Sequence, residues 1–171
     1  MALKVEDGKG VAGAESYATV AVIDTYWVNR AHSAFAVTWA AADAANKEGA
    51  AREATAYIDA TYGLRFRGYR AGDIQGLEWP RSQASDDAMH PMTGLPNALV
   101  QATCEMAARA LSESLAGDLA DTGQVKRKVE KMGPMDETTD YSEVPDVTER
   151  FRFIERMLAP VMRHPQNWEF R

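Results

Sequence analysis

The sequence predicts a mainly α-helical fold: a bundle of about four helices with a long structured loop and a small β-hairpin before the C-terminal helix. Three observations lead to this prediction. Apolar residues recur at helical spacing in four segments, and residues 66–81 hold too many glycines for a helix. Residues 123–141 show the two-residue alternation of side chains that is typical of paired strands. A chain of 171 residues can bury one core, so we expect one domain over residues 1–171.

The first two helices are predicted from their capping residues. Thr19 is a candidate N-cap for the first helix, and Asp43 for a second helix that ends at Tyr62 with Gly63 as a left-handed stop. The first buried face holds Val20, Ile23 and Trp27; the second holds Ala51, Ala54, Tyr57, Ile58 and Tyr62. The aromatic and apolar residues between the helices are assigned to a connection: Phe35, Val37 and Trp39.

Residues 66–81 are predicted to form a packed loop that joins the second and third helices. The glycines permit backbone angles that bulky residues resist, while Tyr69 and Ile74 are expected to need apolar cover. The core of the loop is assigned to Leu77, Trp79 and Pro80. Three arginines are assigned to contacts with other subunits or partners: Arg67, Arg70 and Arg81.

The third helix is predicted to start at Leu95 and Pro96, with proline at the first helical position, and to run to Gly117. A polar surface loop, residues 82–94, comes before it.

Residues 123–142 are predicted to form a projecting β-hairpin with a turn at Gly133 and Pro134. Its first arm is basic through Lys126, Arg127, Lys128 and Lys131, and its second is acidic through Asp136, Glu137 and Asp140. The two strands would attract each other through these charges. The hairpin is either a pair of solvated strands or a projecting element that a partner orders. The basic residues are therefore candidate interface residues.

The fourth helix is predicted from the capping-box spacing of Asp146 and Glu149, and Pro160 should kink or end it. Its apolar seam holds Phe151, Ile154, Leu158 and Val161. Residues 163–171 are interpreted as a docking tail, because Trp168 and Phe170 belong to no predicted helix. Docking on the protein's own surface and docking on a partner are both open.

No set of residues indicates catalysis. The three histidines are dispersed, and the single cysteine, Cys104, fits a small buried helix residue. Gly8, Gly10 and Gly13 match the dinucleotide fingerprint, but no strand precedes them and no βαβ pattern follows, so a glycine-rich turn is the better interpretation. We expect no enzyme activity, no metal and no cofactor.

Charge and hydropathy limit the partners and the location. Nineteen basic and 25 acidic residues give a net charge of -6, which counts against a general nucleic-acid binder. The first residues lack the apolar run of a signal peptide and no segment is apolar enough to span a bilayer, which predicts a protein made in the cytoplasm without a membrane partner.

A single-strand-binding function remains an alternative. Four arginines, Arg65, Arg67, Arg70 and Arg81, alternate with Phe66, Tyr69 and Trp79. Aromatic faces that stack bases and guanidinium groups that meet phosphates are typical of such binders. The same residue types anchor protein interfaces, and the overall acidity favours a protein partner.

The motif Leu77-Glu-Trp-Pro-Arg81 resembles a family of small tailed-phage proteins. The resemblance extends over nearly the whole chain, through Val5-Glu-Asp-Gly8, Ala14-Glu-Ser-Tyr17, Ala56-Tyr-Ile-Asp59, Arg67-Gly68, Gln75, Pro96, Ala102-Thr-Cys-Glu105, Val125-Lys126, Gly133-Pro134 and Leu158-Ala-Pro160. Proteins of this kind are similar to head-tail connector (adaptor) proteins, and the family also carries the description DnaT-like single-stranded-DNA-binding. Val22 departs from the expected acidic capping-box residue, and the chain after Pro160 is longer than expected.

The resemblance implies a virion structural protein at the head-tail neck, assembled in the host cytoplasm. It implies a dodecameric ring under the portal protein, contacts with neighbouring copies and a downstream tail or neck protein, and passage of duplex DNA during packaging and ejection without sequence-specific binding. The DnaT-like single-stranded-DNA-binding module is the alternative.

Overall fold

The computed structural model describes residues 2–115, 127–132, 135–140 and 151–163. These residues contain five helices and two antiparallel strand pairs, so the predicted mainly α fold is confirmed. The helices are α1 Val20–Val28, α2 Ala34–Ala41, α3 Ala44–Tyr62, α4 Asn97–Ala110 and α5 Arg152–Leu158. The strands are β1 Tyr69–Arg70 with β2 Arg81–Ser82, and β3 Arg127–Met132 with β4 Met135–Asp140. Among the described helices, none is long and apolar enough to cross a membrane.

The chain forms two compact units. One contains Met1–Leu115 and Phe153–Arg171, and the other contains Ala116–Arg152. Helices α1 to α4 therefore belong to the first unit, and the β3-β4 hairpin to the second.

Helix α1 follows its prediction and α2 does not. The Thr19 hydroxyl accepts a hydrogen bond from the Val22 N–H at 3.2 Å, and Ile23 and Trp27 are buried. The assignment of Phe35, Val37 and Trp39 to a connection is wrong, because all three lie in α2. This eight-residue helix is apolar nearly all round, so it lacks the alternation between apolar and polar faces that reveals a helix in sequence.

Helix α3 begins at its predicted cap but does not end on a left-handed residue. The Asp43 carboxylate accepts a hydrogen bond from the Asn46 N–H at 2.8 Å. Gly63 has a φ of -54° and starts a 3-10 turn, Gly63–Arg65. A β-carbon at this position would lie 2.7 Å from Cγ of Glu78, so the glycine supplies space and not an unusual backbone angle.

The core lies between α3 and α4. Small side chains at their contact are fully buried, including Ala51 and Ala54 on α3 and Ala102 and Ala107 on α4, which allows the helices to approach closely. Helix α4 starts one residue after Pro96 and ends at Ala110, seven residues before the predicted Gly117. The Leu115 N–H donates to the Glu53 carboxylate at 2.8 Å, so the chain after α4 contacts α3.

The glycine-rich N-terminal turn is confirmed, and it folds around a carboxylate that the sequence analysis did not single out. Glu6 is buried, and its side chain accepts hydrogen bonds from the backbone N–H groups of Gly8, Gly10 and Val11 at 2.8–2.9 Å. Gly8 and Gly10 have φ values of +91° and +86°. Glycine adopts these backbone angles readily, so the backbone N–H groups can point at the Glu6 carboxylate. The chain's own glutamate thus occupies the donors that a phosphate would need.

The predicted hairpin is present as β3 and β4. Its register places Arg127 opposite Asp140 and Lys131 opposite Asp136, as the complementary charges of the two arms predict. Glu130 lies opposite Glu137, so one pair of like charges interrupts that pattern.

The final helix ends where Pro160 predicts. Helix α5 stops at Leu158 and gives way to a 3-10 turn, Ala159–Val161. All four residues of the predicted seam are buried: Phe151, Ile154, Leu158 and Val161. The capping-box residues Asp146 and Glu149 and the tail aromatics Trp168 and Phe170 lie outside the described residues.

Candidate nucleic-acid interface

The loop of residues 66–81 is built on a buried tryptophan. Trp79 is 0% exposed, its ring centroid lies 6.1 Å from that of Phe66 at an interplanar angle of 80°, and its indole N–H donates to the Gly94 carbonyl at 2.5 Å. The Trp79-Pro80 peptide bond is cis. Leu77 and Pro80 are also buried. These contacts fix the position at which the loop enters the core.

Gln75 holds the turn of the loop, a role that the sequence analysis missed. Its amide nitrogen donates to the carbonyl oxygens of Leu77 and Pro80 at 2.8 and 3.1 Å, and its amide oxygen accepts from the Gly72 N–H at 2.9 Å. Gln75 is 4% exposed. A glutamine among glycines and charged residues resembles surface sequence, so only the fold reveals that its side chain replaces backbone pairing.

Arg81 joins the two ends of the loop. Its side chain is 7% exposed and donates to the carbonyl oxygens of Arg67 and Gly68 at 2.8 and 3.0 Å. It also donates to the Glu78 carboxylate at 2.9 Å. Among the described residues its guanidinium is therefore committed to contacts within the chain, and its assignment to a partner interface remains a prediction.

Arg67 connects the loop to the segment that follows α5. Its guanidinium donates to the carbonyls of Met162 and Ser85 at 2.8 and 3.0 Å, and to the Asp87 carboxylate at 2.5 Å. The backbone is tied as well, because the Arg67 N–H donates to Val161 and the Arg163 N–H donates to Arg65. Residues about a hundred positions apart in sequence thus become neighbours at one edge of the first unit.

Three exposed side chains define what we call the Tyr69 surface: Tyr69, Arg70 and Arg163. Tyr69 is 64% exposed, so the expected apolar cover for it is absent; Ile74, at 77% exposed, contradicts the same expectation. The Arg163 guanidinium carbon lies 6.0 Å from the Tyr69 ring centroid and the group donates to the Gly68 carbonyl at 2.9 Å. The Arg70 guanidinium donates to the Gln75 carbonyl at 2.6 Å.

Among the described residues, neither Arg70 nor Arg163 forms an ion pair with a carboxylate. The Arg70 charge does act on the buried Asp59, where it opposes the larger effect of burial on the pKa of that carboxyl group. Arg65, Arg67 and Arg81 pair with Glu155, Asp87 and Glu78 respectively. Among the described residues, the hydrogen bonds of Arg70 and Arg163 go to backbone carbonyls, which orient a guanidinium without cancelling its charge. An aromatic face beside the Arg163 guanidinium, with Arg70 exposed next to it in the chain, can stack a base and contact phosphates.

A buried polar network lies behind the loop. The Tyr17 hydroxyl donates to the Asp59 carboxylate at 2.5 Å and accepts from the Trp79 N–H at 3.1 Å, while the Glu78 N–H donates to Asp59 at 2.9 Å. Burial raises the pKa of Asp59 to about 6, against the opposing effect of these hydrogen bonds. Burial and the neighbouring Asp59 charge also raise the pKa of the Tyr17 phenol, so that it remains a donor at neutral pH.

Because the pKa of Asp59 is about 6 in the folded protein and 3.8 ordinarily, the folded state holds this proton more tightly. The contribution of the protonated Asp59 carboxyl group to the free energy of unfolding is complete below pH 3.8 and is lost as the pH rises through 6. Compared with Asp59→Asn, we expect the wild type to lose up to ~3 kcal/mol of unfolding free energy between these limits. Urea denaturation of both proteins at several pH values measures this difference, and a gain with rising pH would contradict the assignment.

The remaining candidates do not form a second site. Cys104 is buried, and burial raises the pKa of its thiol to about 12. His90 contacts Asp86 at 3.1 Å on the surface loop. Within residues 2–115, 127–132, 135–140 and 151–163, no three histidine, cysteine or acidic side chains are grouped so as to hold a metal.

The other predicted interface residues belong to the second unit or lie outside the described residues. Arg127, Lys128 and Lys131 lie on β3, in the second unit, and Lys126 is not among the described residues. Arg163, the first residue of the predicted docking tail, joins the Tyr69 surface. The repeated arginines of residues 65–70 were the available signal, but their pairing with residues 161–163 was not visible in the sequence.

Comparison with known proteins finds one family to which the chain is similar. No curated protein and no solved structure matches the chain. A match over residues 1–170 is found to the family described as "Putative DnaT-like ssDNA binding protein". Since that match covers essentially the whole chain, the protein belongs to this DnaT-like family.

Proposed function

We propose that the protein binds single-stranded DNA through the Tyr69 surface. The observation that carries this proposal is the exposed Tyr69 ring with the Arg163 guanidinium carbon 6.0 Å from its centroid and the exposed Arg70 next to it in the chain. Among the described residues, neither arginine forms an ion pair with a carboxylate. The family match supports it. A base stacks on the ring while the guanidinium groups contact the flanking phosphates, which needs no base-specific hydrogen bonds.

The overall charge of -6 restricts this binding to a short contact. Repulsion between the acidic subunit and the rest of a nucleic acid weakens the complex, because only a few phosphates are neutralised. A flexible single strand can place one base and its neighbouring phosphates on a small surface, whereas the bases of a duplex are already stacked and paired. The surface therefore favours single strands.

Substitutions at the ring test the proposal. Tyr69→Ala is expected to weaken binding of a fluorescent oligothymidylate by roughly 5-fold or more, since stacking of one base contributes about 1–3 kcal/mol. Tyr69→Phe keeps the ring and should bind as the wild type does. Arg163→Ala should also weaken binding, and Val37→Ala, which is on α2 away from the described loop contacts, should not. Equal affinities for all four variants and the wild type would contradict the proposal.

A second candidate is a structural role as a head-tail connector, with copies in a ring between a portal protein and a downstream neck protein. An acidic subunit suits a channel for duplex DNA, because a negative lumen does not hold phosphates. Large exposed apolar residues, including Leu64 at 93% and Val28 at 73%, suit protein contacts. We include no catalytic step in either role. Retention by an immobilised portal protein, with no measurable oligonucleotide affinity, would favour the connector.

A further inference from the structure

An apolar groove lies between α1 and α2, away from the hydrogen bonds that build the Tyr69 surface. It encloses about 860 Å³. Trp27 and Trp39 form its floor and are 3% and 1% exposed, while Val28 and Val37 line it and are 73% and 67% exposed. Exposed valines around buried indole rings leave apolar area in water that a partner side chain can cover.

One side of the groove is charged. The Lys47 ammonium contacts the Asp24 carboxylate at 2.8 Å and lies 5.4 Å from the Trp39 ring centroid. The Trp39 indole N–H also donates to Asp24 at 2.7 Å. The groove therefore offers an apolar floor with one cation and one anion beside it, which suits a segment that alternates aromatic and charged residues.

The sequence contains such a segment. Trp168 and Phe170 alternate with Glu169 and Arg171. In an extended conformation, residues two positions apart point to the same side, so both rings can enter one groove while the charged residues remain at its edge.

This groove lies at the limit of what the tail of the same copy can reach with Trp168. The tail leaves the described part of the subunit at Arg163, whose N–H donates to the Arg65 carbonyl at 2.8 Å, beyond the C-terminal end of α3. Lys47 lies near the other end of α3, about 22 Å from Tyr62 along the helix axis. Trp168 follows Arg163 by five residues, which span at most ~18 Å when fully extended.

We propose that the α1-α2 groove binds the Trp168 and Phe170 side chains of a second copy of this chain. The contact is head-to-tail, since each copy offers one groove and one tail. A single apolar contact of this size gives weak association, so the copies assemble at high local concentration.

Sedimentation velocity of the full chain at roughly 10 to 500 µM tests the proposal, because weak interfaces show themselves as concentration-dependent association. The wild type should associate increasingly across this range. The double variant Trp168→Ala and Phe170→Ala, and the groove variant Val37→Arg, should each weaken association at least 10-fold. Val22→Arg changes an exposed valine of α1 that does not line this groove and is the matched control. Circular dichroism checks that each variant is folded.

An equal mixture of the two defective variants separates a tail-in-groove contact from other ways of associating. One variant retains its groove and the other retains its tail, so the mixture should recover association to heterodimers. A wild type that stays monomeric throughout, an association that survives the tail substitutions, or a mixture that fails to recover would each overturn the proposal. Oligonucleotide affinity is measured separately on the Tyr69 surface, so the two proposals fail independently.

Discussion

Trp79→Ala is expected to lower the free energy of unfolding by ~3–5 kcal/mol. The indole is fully buried against Phe66, and its N–H donates to Gly94. Alanine would remove the apolar contact, leave a cavity and leave the Gly94 carbonyl without this donor. Chemical denaturation followed by circular dichroism measures the loss.

Tyr69→Ala is the matched control for this prediction. Both residues are aromatic and belong to the same loop, but Tyr69 is 64% exposed, so its removal should change stability by no more than ~0.5 kcal/mol. If Trp79→Ala kept full stability and lost oligonucleotide binding, the indole would belong to the ligand site and not to the core.

Arg81→Met is the second substitution with a large expected effect, a destabilisation of ~3–5 kcal/mol. Methionine preserves much of the side-chain volume but leaves the Arg67 carbonyl and the Glu78 carboxylate without this donor. It also removes one of the two guanidinium donors to the Gly68 carbonyl, the other being Arg163. Arg81→Lys should restore only part of the stability, because an ammonium cannot reach three acceptors in the plane of a guanidinium. Thermal and urea denaturation measure both variants.

Arg70→Met is the corresponding control, since Arg70 belongs to the same loop and is exposed. Its described hydrogen bond goes to a single carbonyl, that of Gln75. A loss of stability in Arg70→Met as large as that in Arg81→Met would show that exposure does not separate the two arginines. It would also weaken the distinction between structural arginines and those of the Tyr69 surface.

Much of the fold could be predicted because local chemistry determines it. Thr19 and Asp43 cap the helices that their sequence positions predict, and the apolar seam of α5 is buried. The two-residue alternation of side chains and the opposite charges of the two arms predicted the β3-β4 hairpin. In each case the residues that specify the element are close together in sequence, so spacing alone carries the information.

What the sequence left hidden depends on tertiary contacts. Helix α2 has no polar face to mark its period, and Gly63 is required for the approach of Glu78, which is distant in sequence. Glu6 and Gln75 resemble ordinary surface residues, yet both are buried and replace backbone pairing in turns. Such roles become visible only when the segments that surround them are positioned.

The candidate site was predicted in composition but not in arrangement. The sequence pointed to arginines interleaved with aromatic residues, and the fold divides them into two groups. Trp79 and Arg81 are buried parts of the loop, whereas Tyr69 and Arg70 face outward. Arg163 reaches Gly68 across 95 positions of sequence, a separation that no local pattern encodes.

The dependence of oligothymidylate affinity on salt, between about 50 and 200 mM, tests the central claim most directly. Two phosphate contacts, from Arg70 and Arg163, predict a slope of about -1.4 for log K against log salt concentration, since each contact on a single strand contributes roughly -0.7. Arg163→Ala should reduce the slope to about -0.7. Tyr69→Ala should lower the affinity but leave the slope unchanged. Absence of binding at the lowest salt concentration, or a slope that Arg163→Ala leaves unchanged, would contradict the account.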